Sequence, residues 1–182
     1  MRFIASSIPD VIVVEPDIFY DHRGLFLESW HKAKFKEGRI DAEFVQDNHS
    51  KSIRGTLRGL HYQINYPQGK LIRVIQGTVF DVVVDIRRSS PTFGKWIGEY
   101  LTSENKRILW VPPGFAHGFY VISEIADICY KCTDYYYKED ERCIVWNDPE
   151  LGIHWPLIED SQPILSVNDS KGTLFKDAEL FT

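Results

Sequence analysis

The chain has 182 residues, of which 43% are hydrophobic, 14% aromatic and 26% charged, and its formal net charge is −5. This composition fits one domain with a single core, spanning residues 1–182, and excludes a disordered chain or a coiled coil. The acidic balance argues against binding to nucleic acid or anionic membranes, and the short apolar runs exclude a membrane span.

Short runs of alternating or β-branched residues recur along the chain and predict an all-β protein. In chain order, the predicted strands are residues 11–15, 69–75, 78–86, 96–101, 107–111, 119–122 and 128–133. One helix is predicted within residues 27–39, and a weak turn follows Ser166. Because Gly, Pro, Asn and Ser separate the strands at short intervals, we expect a sandwich or barrel with accessory helices.

The densest polar stretch covers residues 46–70, although surface loops have a similar composition. Strand alternation would place Arg58 and His61 on opposite faces, whereas a bulge at Gly59 would bring both to one cavity. Spacing alone leaves both arrangements open. A rigid Pro-Pro-Gly turn then precedes His117, although a lone histidine in an aromatic strand is more often structural than catalytic.

Two other patterns are interpreted as structural. Asp81 and Asp85 share one face of a predicted strand, and a solvent-facing edge suits Asp81 at least as well as a site role. Neither aspartate is therefore assigned to the site. Cys129 and Cys132 are three residues apart on a strand and face opposite ways, which argues against a redox pair or a zinc half-site. Since three cysteines form no disulfide framework, a reducing compartment is expected, namely the cytoplasm.

The polar segments resemble the two paired sequence motifs of cupin barrels in the spacing of their glycine, proline and histidine residues. The matching positions are Gly55 and His61, Lys70 and Gly77, and Pro112, Gly114 and His117. Metal-binding cupins would carry a second histidine and a glutamate where this chain has Gln63 and Lys70. Because an ammonium at ligand distance repels a cation, the sequence predicts no metal.

A longer series of motifs runs in order from near residue 10 to Asp169. Its members are Asp21-x-Arg23-Gly24-x-Phe26-x-Glu28, Gln46-Asp47-Asn48-x-Ser50, Leu57-Arg58-Gly59-Leu60-His61-x-Gln63, Gln68-Gly69-Lys70-Leu71, Ser90-Pro91-Thr92-Phe93-Gly94-x-Trp96, Gly114-Phe115-Ala116-His117-Gly118-Phe119, Tyr130-Lys131 and Trp146-Asn147-Asp148-Pro149. The series resembles the dTDP-4-dehydrorhamnose 3,5-epimerase family. The resemblance implies a cupin-like jelly roll, a homodimer, no cofactor, and a dTDP-linked 4-keto-6-deoxyhexose whose C3 and C5 are both inverted.

The same resemblance implies a role for each matched residue. His61 is the base that removes a C–H proton, and Asp169 orients and supports it. Tyr130 is the acid on the opposite face, and Lys70 is the cation near the enolate oxygen. The implied substrate contacts are Arg23, Glu28, Gln46, Asp47, Asn48, Arg58, His117, Tyr136 and Glu141, with Tyr136 stacked on the nucleotide base. The chain departs from the family at Asn168, where a lysine that could contact the diphosphate is common.

The sequence leaves three alternatives to conversion of dTDP-4-dehydro-6-deoxy-D-glucose to dTDP-4-dehydro-L-rhamnose. A single-centre epimerase, acting at C3 or C5, keeps the same catalytic residues, so the motifs do not separate it. A non-catalytic cupin module for sugar binding or regulation has no need of an acid and a base on opposed faces. A metal dioxygenase is disfavoured by Gln63 and Lys70.

Overall fold

Strands make up most of the regular structure in this computed structural model, which describes residues 1–158 and 161–182. The strands are β1 (Arg2–Ala5), β2 (Ile12–Glu15), β3 (Ile18–Asp21), β4 (Gly24–Leu27), β5 (Gln46–Ile53), β6 (Leu57–Gln63), β7 (Lys70–Gln76), β8 (Thr78–Asp85), β9 (Trp96–Thr102), β10 (Ile108–Val111), β11 (Phe115–Val121), β12 (Ile125–Cys132) and β13 (Glu141–Cys143). The α-helix α1 covers Lys32–Glu37, and short 3-10 turns lie at Lys138–Asp140, Asp169–Lys171 and Phe175–Asp177.

The strands form two antiparallel sheets that pack face to face. One has six strands in the order β1-β2-β10-β7-β12-β5, and the other has five in the order β13-β6-β11-β8-β9. Ile72 and Ile128 of the first sheet pack with Val83 and Phe119 of the second in one buried cluster. Alternation places these apolar side chains inward, so the predicted all-β, cupin-like jelly roll is confirmed.

The hairpin of β3 and β4 stands apart from both sheets and forms a two-stranded sheet of its own. It leaves apolar side chains in solvent, with Tyr20 71% exposed and Phe26 69% exposed. A two-stranded ribbon buries little apolar area by itself, so this hairpin lacks a packing partner within the described part of the chain.

The structure narrows the predicted helix and adds a strand that was not among the predicted ones. The helix predicted for residues 27–39 is limited to Lys32–Glu37, because Leu27 pairs with Ile18 in the hairpin and the His31 side chain caps the helix start. The polar residues 46–53, for which no strand was predicted, form strand β5, which pairs along its length with β12. One face of β5 lines a polar cavity, so the strand has no hydrophobic alternation to reveal it.

Among the described residues, no helix has both the length and the apolar character that crossing a membrane requires.

Candidate functional site

A cavity of about 340 Å³ lies between the two sheets. Strands β5, β7 and β12 form one wall, and strands β6, β11 and β13 contribute to the other. The lining residues are Gln46, Asn48, Ser50, Arg58, His61, Gln68, Lys70, Ile72, His117, Phe119, Ile128, Tyr130, Tyr136 and Glu141. Polar side chains from both sheets thus converge beside the buried apolar cluster to which Ile72, Phe119 and Ile128 belong.

A bulge in β6 brings two of these groups together. His61 pairs with His117 and Arg58 pairs with Phe119, so β6 has one residue more than β11 between the two pairs. Gly59 lies there with φ +124°, and an added Cβ would be 2.5 Å from the Cα of Gly118. The strands approach this closely because both positions are glycine. Arg58 and His61 therefore line the same cavity, which settles the alternative that spacing left open.

His61 is held by a buried carboxylate. Its Nε2 lies 2.6 Å from Oδ1 of Asp169, whose side chain is 3% exposed. Asp169 also accepts hydrogen bonds from the Gly59 N–H and the Ser166 hydroxyl. Burial by itself would raise the pKa of Asp169, but the hydrogen bonds from His61 and Ser166 lower it to about 2. An ionised Asp169 favours the proton on Nε2, so that Nδ1 can serve as the base.

A second buried aspartate holds the other histidine of this wall. Nε2 of His117 lies 2.9 and 3.0 Å from the two carboxylate oxygens of Asp81, which is fully buried. The expectation that Asp81 faces solvent was therefore wrong. Strand β8 is flanked by β11 and β9, and Asp81 shares its interior face with buried Val83. The sequence held one signal for this burial, because alternation places the apolar residue Val83 on the same face as Asp81.

The wall formed by the six-stranded sheet presents two groups without partners. Neither the Lys70 ammonium nor the Tyr130 hydroxyl has a hydrogen-bond or ion-pair partner in the described ranges. Burial lowers the pKa of Lys70 and raises that of Tyr130, because each charged form loses solvation. The phenol therefore stays protonated, and the cation is available to an anionic atom of a ligand.

A chain of hydrogen bonds orders the cavity mouth. Gln46 donates to the side-chain oxygen of Asn48 at 3.0 Å and accepts from the backbone N–H of Tyr136 at 3.0 Å. The Tyr136 hydroxyl donates to Glu141 at 3.3 Å. Tyr136 is 48% exposed, so its ring is positioned to stack on a planar group at the entrance.

Three residues of the implied binding set lie away from the cavity of their own chain. Asp47 faces the outer side of β5 and pairs with Lys131 at 2.9 Å. Arg23 lies at the hairpin turn, bonded to neighbouring Asp21, and Glu28 pairs with Lys34. The other implied residues line the cavity, except Asp169, which lies behind His61.

Two polar lining residues, Ser50 and Gln68, belong to the ordered motifs, but the resemblance implies no role for them. The Ser50 hydroxyl is the one buried side-chain polar atom without a partner among the residues the structure describes. Rotation about χ1 could turn this hydroxyl toward a ligand hydroxyl. The only sequence signal for Ser50 is its place in the motif that begins at Gln46.

The ligand frame of metal-binding cupins is not reproduced here. Gln63, at the position of the second histidine, donates to the backbone oxygens of Tyr66 and Tyr135 and accepts from the N–H of Tyr137. Its side chain anchors two loops, while Lys70 places a cation at the position of the glutamate. This group of residues does not fit a divalent ion.

Comparisons with known proteins, by sequence and by structure, identify relatives that belong to one family. The model of the family described as dTDP-4-dehydrorhamnose 3,5-epimerase matches residues 5–177. The dTDP-4-dehydrorhamnose 3,5-epimerase of Pseudomonas aeruginosa is 57% identical over 100% of this chain and 99% of its own length. A dTDP-6-deoxy-D-glucose-3,5-epimerase from Legionella pneumophila, solved with dTDP-4-keto-L-rhamnose, is 50% identical with a TM-score of 0.94, covering 98% of this chain and 94% of the other. ChmJ, a 3′-monoepimerase from Streptomyces bikiniensis solved with dTDP-quinovose, is 33% identical with a TM-score of 0.87, covering 94% and 86%.

Proposed function

The chain belongs to the dTDP-4-dehydrorhamnose 3,5-epimerase family, and from this membership we propose that it converts dTDP-4-dehydro-6-deoxy-D-glucose to dTDP-4-dehydro-L-rhamnose. One observation supports the roles of the residues more than any other. His61 and Tyr130 stand on opposite walls of one cavity, on β6 and β12. Inversion at carbon needs a base on one face of the sugar and an acid on the other, and these two walls supply them.

Proton removal is the first step at each centre. The C4 ketone acidifies the hydrogens on C3 and C5, because either carbanion is delocalised onto the same oxygen. Nδ1 of His61 takes the proton, and Asp169 stabilises the imidazolium that forms. The Lys70 ammonium faces the enolate oxygen and stabilises its negative charge in a site of low polarity.

Proton return from the opposite face completes each inversion. The Tyr130 hydroxyl protonates the carbon, the C=C bond of the enolate becomes the ketone again, and a phenolate remains. Solvent then returns a proton to Tyr130 and removes one from His61, so the site is restored before the second centre reacts. Because the shared enolate oxygen is at C4, one base, one acid and one cation can serve both C3 and C5.

The remaining lining residues bind the nucleotide sugar. Arg58 and His117 contact the sugar or the diphosphate, and Tyr136 stacks on the thymine base at the cavity mouth. Arg58 is oriented by a 3.1 Å hydrogen bond from its Nε to Ser52. The chain acts as one domain in the cytoplasm and needs no cofactor for this chemistry.

The exposed hairpin supports a homodimer. Its apolar side chains, including Tyr20 and Phe26, need a partner surface, and its turn carries Arg23. Docking against a second copy would cover them and could carry Arg23 and Glu28 toward a cavity. Light scattering is expected to show a dimer for the wild type and a smaller species for Phe26→Glu. A monomeric wild type would contradict this assembly.

Incorporation of deuterium from solvent tests the function. In deuterated water, NMR of the product from dTDP-4-dehydro-6-deoxy-D-glucose should show deuterium at both C3 and C5, since each carbon is protonated by an exchangeable acid. Label at one carbon only would support a single-centre epimerase, the activity that the name of ChmJ gives for a protein of the same fold. Absence of label at both carbons would exclude enolate chemistry.

A further inference from the structure

A cysteine that the proposed reaction does not use lies beside its base. Cys143 on β13 pairs directly with His61 on β6, so both side chains extend from the same face of the sheet. Cys143 is half-buried and does not line the cavity that holds Lys70 and Tyr130. One potential ligand atom from each of His61, Cys143 and Asp169 lies within 4.8 Å of the other two.

We propose that His61, Cys143 and Asp169 form a binding site for Zn²⁺, and that the bound ion inhibits the enzyme. An imidazole nitrogen, a thiolate and a carboxylate oxygen are the donors that zinc takes in proteins. With metal–ligand bonds of about 2.0–2.3 Å, tetrahedral donors are about 3.3–3.7 Å apart. Small side-chain rotations would therefore bring these three donors to zinc distance.

This site differs from the cupin frame in both ligands and charge. Of the ligand positions of metal-binding cupins, it uses only His61. Its other two ligands are the Cys143 thiol and the Asp169 carboxylate, and Gln63 and Lys70 take no part. A thiolate and a carboxylate together balance the two positive charges of the ion. Burial raises the pKa of the Cys143 thiol to about 12, so the thiol proton must leave to solvent when the Zn–S bond forms.

Inhibition is the expected consequence, and it rests on the proposed function. A zinc ion at His61 occupies a ring nitrogen and separates the imidazole from Asp169, so His61 can no longer accept a proton from the sugar. The prediction that the ion binds depends only on the geometry of the three side chains and not on the proposed function. Measuring binding and inhibition separately therefore distinguishes failure of the metal site from failure of the proposed role of His61.

The matched variants are Cys143→Ser and Cys129→Ser. Cys129 pairs with His49 and Arg73, and alternation with Tyr130 places it on the outer face of the sheet, away from the cluster. In substrate-free wild type and Cys129→Ser, Co²⁺ should produce thiolate-to-metal charge-transfer absorption, and Zn²⁺ should bind at one ion per chain. Cys143→Ser should lose the absorption and weaken zinc binding at least about tenfold.

Activity provides the second measurement. Saturating Zn²⁺ should lower the rate of wild type and Cys129→Ser by at least about 10²-fold, the effect of removing a general base, and EDTA should restore it. Cys143→Ser should keep its basal rate and resist zinc at the same concentration. No charge-transfer band in wild type, or the same band in Cys143→Ser, would overturn the site. Stoichiometric binding without inhibition would leave the site in place and refute inhibition through His61.

Discussion

The two walls of the cavity hold their functional groups in different ways. On the wall formed by the five-stranded sheet, His61 and His117 are each hydrogen-bonded to a buried carboxylate. On the opposite wall, Lys70 and Tyr130 have no such partner within the described residues. The two histidines of one wall are thus held in place before substrate arrives, whereas Lys70 and Tyr130 of the other wall remain free to interact with substrate.

The difference is consistent with the role proposed for each group. A histidine base works only with its lone pair directed at the substrate, so its tautomer must be set in the free enzyme. A cation and a phenol that serve a transient enolate need no partner beforehand. Leaving them unpaired in a partly buried site costs stability, but it strengthens their interaction with the charge that develops during reaction. Four predictions test this contrast, from the largest expected effect to the smallest.

Replacement of the base should have the largest effect. His61→Ala removes the proposed acceptor of the C–H proton, and kcat is expected to fall by about 10²-fold to 10⁴-fold. Solvent exchange at C3 and C5 should fall by a similar factor, since no enolate forms. Thermal unfolding and binding of dTDP serve as controls for folding. A near-normal rate would remove His61 from the mechanism.

Replacement of the proposed acid should affect inversion of the sugar much more than exchange of its hydrogens with solvent. Tyr130→Phe keeps the ring and removes the hydroxyl, so His61 can still form the enolate and return a proton to the original face. Inversion is expected to fall by about 10²-fold or more while exchange of the sugar hydrogens with deuterated water persists. Equal loss of both in a folded variant that binds dTDP would show that Tyr130 assists deprotonation or positioning instead.

Loss of the carboxylate behind the second histidine should have a smaller effect. Asp81→Asn leaves the shape of the side chain but weakens its bond to Nε2 of His117, a proposed substrate contact. We expect about a tenfold increase in KM with a smaller change in kcat, because the ring is misplaced rather than removed. Asp169→Asn is the corresponding change to the carboxylate that holds His61, and it should lower kcat instead of raising KM. The opposite pattern would exchange the roles of the two histidines.

The smallest expected effect is a shift in pH dependence. Burial lowers the pKa of Lys70, so the ammonium loses its proton at a lower pH than an exposed lysine, and activity should fall as pH rises through that pKa. Tyr130, whose pKa is raised, stays protonated over this range. Lys70→Arg keeps its charge and should move the alkaline decline of kcat/KM to higher pH. An unchanged alkaline limb would assign that limb to another group.

Much of the molecule could be predicted from local sequence. Six of the seven predicted strands lie within three residues of their observed bounds, because hydrophobic alternation is visible where a strand covers the apolar core. The resemblance of ordered motifs indicated the family, which the comparisons confirm. Of the implied site residues, most of those on the motifs of β5, β6 and β7 do line one cavity. Strand β5 escaped detection because its inward face is polar.

Local sequence patterns could not show which distant groups meet, although the family resemblance implied the contact between His61 and Asp169. His61 and Asp169 are separated by 108 positions and His117 and Asp81 by 36, and no periodicity relates residues so far apart. The position of Cys143 beside His61 follows from strand pairing, which depends on the register of both sheets. Alternation assigns a side chain to one of two faces, but only the packing of the second sheet makes that face an interior. By itself, the sequence indicated the strands that show hydrophobic alternation and the chemical groups available, while the fold determined which of those groups share a cavity.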